Sequence, residues 1–399
     1  MPKHAARPVG AEDLEAEPTV TPTDDPRRIL VLGATGYVGG RLAPRLVDRG
    51  HEVRVLARTP SRLAQVPWAK DVEVVEGDLA DLDAVRAAME GIEVVYHLVH
   101  SMSAGGDFEA EEAEEARNVA RAAKDAGVRR IVYLGGLHPD GELSRHLRSR
   151  VQVGEILLAS GVPTIVLQAG IVIGSGSASF EMIRHLTEVL PYMPAPRWVR
   201  NFVQPIAVRD VMHYLISAAT LPDDVRGAYD IGGPDVLRYG QMMNGYALEA
   251  GLPQRAIAAL PVLTPGLASH WVNLVTPVPR SIARPLVASL QNECIVKDRA
   301  IDELIPRPEN GLTPYRRAVA MALGRVDDDT IETSWQDAEV SGAPSAPLPS
   351  DPDWAGRMVF TDARSLTTEA SVDDLWRVII GIGGSNGWYS SKFLWAVRG

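Results

Sequence analysis

Ile29-Leu30-Val31-Leu32-Gly33-Ala34-Thr35-Gly36-Tyr37-Val38-Gly39 is the stretch on which the fold turns. An apolar run of strand length meets three glycines, each three residues from the next, and Val38, Leu42 and Leu46 then recur every four residues, as on one face of a helix. In a strand, turn and helix so arranged, Gly33 permits the tight turn, Gly36 lets the backbone approach a diphosphate, and Gly39 lets the helix pack close to the strand. Unpaired N–H groups and the dipole at the helix start favour negative charge. Gly33, Thr35, Gly36, Tyr37, Val38 and Gly39 are therefore read as the cradle of a dinucleotide pyrophosphate. Pro44 falls inside this helix and removes one backbone bond, so a kink near Gly40 is expected.

Working outward, strands are expected at Ile29–Leu32, Glu52–Leu56, Val72–Val75, Val94–Leu98, Arg130–Leu134 and Thr164–Leu167, each followed by a helix-length segment. Leu147, Val151 and Leu158 mark the sheet-facing side of one such helix. This alternation implies an α/β fold, a Rossmann-like doubly wound parallel sheet covered on both faces, over residues 27–174. From 175 to 338 the alternation fades into a smaller substrate lobe, in which Asp210 is expected to cap a helix starting at Val211. Ile171, Phe180, Met182, Trp198, Trp271 and Val272 either line a pocket there or pack a core.

Residues 1–26 carry Pro, Glu, Asp and Thr without apolar periodicity and without a signal-peptide layout, and read as a disordered tail. Residues 339–356, rich in Pro, Ser, Gly and Asp, read as a linker. Residues 357–399 read as a strand and two helices, the first helix starting at Ser371-Val372-Asp373-Asp374. Such a piece cannot bury a sheet face alone. It is expected to be the start of a partial α+β domain truncated at Gly399, or else to dock on the first two.

The 399 residues are 46% hydrophobic, enough for more than one buried core. A net charge of −11 without any dense Lys/Arg block argues against a nucleic-acid surface. Cys294, the single cysteine, excludes an intramolecular disulfide and a thiolate metal cluster, reads as a partly buried filler, and fits a reducing, cytoplasmic setting. The nine histidines show no ligand spacing beside a carboxylate, so no metal is expected. The apolar stretch from Leu260 to Leu290 is broken by Pro265, Pro277, Pro279, Arg280, Arg284 and Pro285, which leaves no run of the ~20 residues a membrane span needs. It reads as helices around a pocket, in a monomer or homodimer without integral membrane segments. The acidic run Glu109–Glu115 reads as a solvated helix start.

NAD-preferring dinucleotide folds place an acid about 20 residues beyond the glycines, on the ribose 2′-hydroxyl. Here that place is Leu56-Ala57-Arg58-Thr59-Pro60-Ser61-Arg62. Arg58, helped by Arg62, would pair with a 2′-phosphate, which favours NADP (NADPH); the alternative is that both are solvated loop charges. Asp78, with Leu79 after it, either bonds the adenine edge or caps the next turn.

The glycine motif, Gly77-Asp78-Leu79, Tyr96-His97-Leu98 and Gln204-Pro205-Ile206 through Asp210, all in order, resemble the extended and atypical short-chain dehydrogenase/reductases over about residues 28–328. Within that superfamily the chain is similar to NmrA-like proteins and to relatives of the 39-kDa subunit of complex I. The segment from Arg357 resembles the start of a DUF2867 domain, a helix-grip module. The resemblance implies NAD(P)-dependent redox chemistry with Tyr-x-x-x-Lys at the start of the fifth helix, the lysine lowering the tyrosine pKa and orienting the ribose while the tyrosine transfers the proton.

The corresponding stretch is His146-Leu147-Arg148-Ser149-Arg150. His146 can stand in for the tyrosine as a proton donor. Arg150 can bind ribose hydroxyls but does not deprotonate. Gly135-Gly136 occupies the place where many relatives carry Ser-Ser or Ser-Thr, which removes a hydroxyl from the substrate carbonyl. His138, and His100 with Ser101 and Ser103, are further donors at strand ends, with a loop or packing role as the alternative; Tyr133 reads as core. Two functions compete: a reductase of a small hydrophobic, quinone-like or enone substrate, and a non-catalytic NADP-binding redox sensor or assembly factor. A nucleotide-sugar epimerase would suffer from the same missing groups.

Overall fold

The structure, a computed structural model, describes residues 22–63, 66–99, 108–260, 288–327, 332–333, 368 and 370–381. Strands β1 (Arg28–Leu32), β2 (Glu52–Ala57), β3 (Glu73–Glu76), β4 (Val94–His97), β5 (Arg130–Gly136), β6 (Thr164–Ala169) and β7 (Gly227–Ile231) form one sheet in the order β7-β6-β5-β4-β1-β2-β3. Every neighbouring pair is parallel. Because β4 returns to the far side of β1, the loops after these two strands diverge and open the crevice in which such sheets take ligands. Leu32 is level with Leu56 on one side and His97 on the other, so Gly33, Arg58 and Leu98 share one edge.

Helices α1 (Gly39–Asp48), α2 (Leu82–Ala88), α3 (Phe108–Asp125), α4 (Arg145–Leu158), α5 (Ala178–Val189), α6 (Val208–Ala218), α7 (Tyr239–Glu249) and α8 (Tyr315–Asp327) surround and extend the sheet, and α9 spans Val372–Ile380. The period of two along each strand sends Ile29, Val31 and Tyr96 to α1 and α6, and Leu30, Leu32, Val95 and Tyr133 to α2, α3 and α4. Both faces of the central strands are therefore buried, which is why β1 and β4 are apolar along most of their length, while the outer β2 and β3 carry Glu52, Arg54, Glu73 and Glu76. A separate core joins Phe180 of α5, Met242 and Tyr246 of α7 and Val319 of α8.

Six strands lie where the sequence places them, within two residues at their ends. The seventh, β7, was not foreseen: it is an edge strand carrying Asp230, with little apolar signal of its own. Leu158 is 37% exposed, against expectation. The buried stripe of α4 is centred on His146, Ser149, Val153 and Leu157, which leaves Leu158 on its flank. Asp210 does not cap α6; that helix starts at Val208 with Ala207 before it. Buried in the first turn, Asp210 accepts from Thr313 N (2.7 Å) and Thr313 Oγ1 (3.0 Å) and ties α6 to the approach to α8. α1 continues through Pro44 as one helix.

Ser371 does cap α9, its Oγ accepting from Asp374 N at 3.2 Å. Cys294 is half-buried, and burial pushes its thiol up to about 11. The readings for residues 1–21, His100, Ser101, Ser103, Trp271, Val272, the 339–356 linker and most of 357–399 lie outside the described residues.

Candidate functional site

The turn after β1 is built from backbone. Gly33 has φ +91°, and a Cβ there would sit 2.9 Å from Leu98 C and O. Gly36 N donates to Gly33 O (3.0 Å), and the first helical bonds run from Gly40 N to Gly36 O and from Leu42 N to Val38 O. The N–H groups of Tyr37, Val38 and Gly39 precede that ladder at the helix start, where an anion is favoured. The arrangement fits a dinucleotide diphosphate. Tyr37 lies behind the turn with its buried hydroxyl unpartnered and pushed up to about 12 by burial, and the Arg41 guanidinium stands 4.8 Å over its ring.

Beyond the turn, Arg58 is exposed immediately after β2, whereas Arg62 is buried in the turn Pro60–Leu63. Asp78 Oδ1 accepts from Ala80 N at 2.9 Å, so this carboxylate caps its own turn. Two α3 residues were not singled out from sequence. Asn118 is buried and donates to Leu79 O (2.9 Å) and Ala80 O (3.2 Å), fixing the loop after β3. Glu115, one turn earlier, is pushed up to about 7 by burial, with Asp78, Glu112 and Glu111 adding and Arg58 opposing. Glu112 is buried too and accepts from Ser149 Oγ. The acidic run is thus not wholly solvated, because Glu112 and Glu115 share a face with the buried Val119. That helical spacing was the available signal.

At the opposite end, α4 carries His146 and Arg150 beside β4 and β5. Arg150 Nη2 donates to Leu134 O at 2.7 Å, and its Nε is buried without a partner. Gly136 leaves room for it: a Cβ there would lie 3.0 Å from Leu147 Cδ2 and 3.5 Å from Arg150 Cδ. Tyr133 is core, as expected, its hydroxyl donating to Arg150 O (3.2 Å) and pushed up to about 12 by burial. His97, also not foreseen, lies 5.6 Å from the Tyr133 ring with Nδ1 unpartnered. Burial, reinforced by the Arg150 charge, holds His97 down at about 4 and His146 at about 3. Unpartnered polar atoms on Arg150 and His97, beneath the strand ends, fit the ribose and nicotinamide end of a dinucleotide. His138 stands apart, one ring nitrogen 3.1 Å from Pro139 O and the other 3.2 Å from Gln168 Nε2.

Two buried neutral histidines make stability pH-dependent. Their folded pKa values lie below the unfolded value near 6.5, so the unfolded chain takes up protons that the folded chain refuses. The contribution is complete above pH 6.5 and is lost as pH falls towards 4 and below, at about 1.4 kcal/mol per pH unit for each histidine. Glu115, pushed up to about 7, opposes this loss and His185, held down at about 4, adds to it, so the two rings are read by difference: in urea melts at pH 7 and pH 5, His97→Asn and His146→Gln should each reduce the proton uptake on unfolding by about one relative to wild type. An unchanged pH slope would show that these rings ionise freely when folded.

In the lobe, Phe180 and Met182 are buried, Ile171 and Trp198 pack in the same region, and Trp198 meets Tyr239 edge-on at 5.8 Å, so core packing accounts for them. Gln204 donates to Gly233 O (2.7 Å) and accepts from Val296 N (3.0 Å), which closes the lobe onto the sheet. Among the described residues no three His, Cys, Asp or Glu side chains form a metal-binding group, and no helix is long and apolar enough to cross a membrane.

Comparison with known proteins agrees with this geometry. Residues 33–161 match the NAD(P)H-binding family model, and residues 354–399 match a protein family of unknown function, DUF2867. The chain is 31% identical over 238 residues to a (4-alkanoyl-5-oxo-2,5-dihydrofuran-3-yl)methyl phosphate reductase of Streptomyces griseus, covering 57% of this chain and 75% of that protein. It is 35% identical over 116 residues to a 3 beta-hydroxysteroid dehydrogenase/Delta 5-->4-isomerase of Mycobacterium tuberculosis, covering 27% of this chain and only 30% of that protein's length. The fold is shared with Citrobacter sp. triphenylmethane reductase, solved with NADP(H), at a TM-score of 0.58 and 18% identity, over 74% of this chain and 99% of that one.

Proposed function

Since the chain belongs to the NAD(P)H-binding oxidoreductases of the short-chain dehydrogenase/reductase family, we propose that it is an NADPH-dependent reductase of a small hydrophobic acceptor, quinone-like or enone in character. The observation that carries this reading is the nicotinamide end: His146 is held down at about 3 and Tyr133 up at about 12, and Gly135-Gly136 offers no side-chain hydroxyl. Neither the ring nor the phenol is tuned to give a proton near neutral pH. Such a site serves an acceptor whose reduced form carries its own negative charge well, as an enolate or a quinol anion does, with the proton arriving from solvent.

Bound NADPH would supply the hydride. Gly33, Gly36 and the Tyr37–Gly39 amides would hold its diphosphate, with Thr35 beside them. Arg58 would meet the 2′-phosphate at the exposed edge, and the Leu79 loop held by Asn118 would face the adenine. Arg150 would bind ribose hydroxyls and add to the burial that keeps the imidazoles of His97 and His146 neutral. His138, bonded at both ring nitrogens, is the remaining candidate acid. The relatives' names support an activated or bulky acceptor: a (4-alkanoyl-5-oxo-2,5-dihydrofuran-3-yl)methyl phosphate is an activated enone that carries a phosphate, and a triphenylmethane is bulky.

The test is fluorescence titration with NADPH and NADH, followed by stopped-flow oxidation of bound NADPH against naphthoquinones and enones. Tighter binding of NADPH, lost in Arg58→Ala, and acceptor-dependent oxidation at a rate constant flat between pH 6 and 8 under saturating NADPH are expected. A rate that falls with rising pH in the wild type but not in His138→Ala would instead name His138 as the acid. Tight binding with no oxidation across the panel would overturn the reductase in favour of a non-catalytic NADP-binding sensor or assembly role.

A further inference from the structure

Two residues far along the chain press on the dinucleotide turn from behind. Glu332 reaches Arg41 Nη1 at 3.0 Å across 291 residues of sequence, and its two oxygens bond Arg45 Nη1 (2.5 Å) and Nη2 (2.9 Å). Thr333 Oγ1 donates to Tyr37 O at 2.9 Å. Arg41 in turn bonds Ser175 O (2.9 Å), so the first turn of α1 is held from both sides. Gly40, which has no duty in the glycine fingerprint, now acquires one: a Cβ there would lie 3.0 Å from Thr333 Cγ2.

We infer that Glu332 and Thr333 are positioning residues of the dinucleotide site. The inference rests on the reading of that turn as a cofactor cradle. The peptide joining Tyr37 to Val38 is planar and trans, so the carbonyl that Thr333 fixes and the Val38 N–H are two ends of one rigid group. Holding Tyr37 O towards Thr333 aims the Val38 N–H the other way, off the helix start towards the diphosphate. Glu332 fixes the same turn through the side chains at the third and seventh positions of α1, Arg41 and Arg45. Burial works against its charge, yet Arg45 and Arg41 outweigh that and hold its carboxyl below the usual range, so the clamp is charged throughout neutral pH. Cofactor affinity thereby depends on a segment 21 residues ahead of Trp354, where the DUF2867 match begins. By linkage, the dinucleotide must stabilise that segment in its docked position as much as the segment strengthens binding.

The experiment uses the full chain and reads Kd for NADPH and NADH by fluorescence, together with Tm and amide hydrogen exchange. Thr333→Val keeps the bulk but loses the bond to Tyr37 O, whereas Thr333→Ser keeps the bond. Thr333→Val and Glu332→Gln are expected to raise Kd about fivefold or more for both nucleotides alike, since the diphosphate is common to them, with Thr333→Ser near wild type. NADPH is expected to slow exchange of the Thr333 amide in the wild type. A lowered Tm with Kd within twofold of wild type for both variants would overturn the inference, reducing the contact to structural support. Failure of the wild type to bind either nucleotide would instead sink the cofactor reading, and this inference with it.

Discussion

Gly39→Ala is expected to abolish dinucleotide binding and to destabilise the fold by about 3 kcal/mol or more. The added Cβ would lie 2.1 Å from Gly33 O, 2.7 Å from Gly33 C and 2.9 Å from Ala34 Cα. All three are backbone atoms, so no side chain can rotate aside. The start of α1 must back away from the turn and take with it the N–H groups that face the diphosphate. A displacement on the order of 1 Å spoils their hydrogen bonds to an anion, and we expect NADPH affinity to fall at least ~100-fold. Gly50→Ala is the control: its φ of +91° strains an alanine, but nothing lies within 4 Å. It should cost about 1 kcal/mol and leave Kd unchanged. Fluorescence titration and thermal melts of both variants decide the matter, and wild-type affinity in Gly39→Ala would show that the helix start does not hold the cofactor.

The second large effect is expected at Arg150→Met. The guanidinium lies under the strand ends with Nη2 on Leu134 O and Nε unpartnered, so its loss strands a carbonyl and removes the cation proposed to meet the ribose. Hydrogen bonds to charged groups contribute about 1.5–3 kcal/mol, so Kd for both nucleotides should rise about 10- to 100-fold. The Arg150 charge is also a cause, second to burial, of the low pKa of His97 and of His146. Both rings should therefore titrate at higher pH in Arg150→Met, readable by NMR, while burial keeps them below the ordinary value. Unchanged affinity with shifted histidines would leave Arg150 an electrostatic role only.

The sheet was legible because strands buried on both faces must be largely apolar, and six short apolar runs at the spacing of crossover connections leave few arrangements. The glycine turn was legible because Gly33 and Gly39 meet steric conditions that hardly another residue satisfies. β7 escaped notice because an edge strand carrying Asp230 has no such demand on it. Asp210 was misplaced as a cap because its partner, Thr313, is over a hundred residues away, and a capping motif looks the same in sequence whether the carboxylate turns to its own helix or elsewhere. Asn118 and Glu115 were passed over inside a charged, alanine-rich helix, where only the direction of each side chain separates a loop anchor from a surface charge.

By itself the sequence determined the parallel sheet, the place of the glycine turn after β1 and the absence of Tyr-x-x-x-Lys from the start of α4, since each depends on residue type at short spacing and on local sterics. Only the tertiary structure decided the protonation of His97 and His146, the capping duty of Asp78 and the bond of Thr333 to the carbonyl of Tyr37. The reason is physical. Ionisation depends on how completely water is excluded, and a hydrogen bond depends on which polar atoms the fold brings within 3 Å or so; both are properties of the packed chain rather than of neighbours along it.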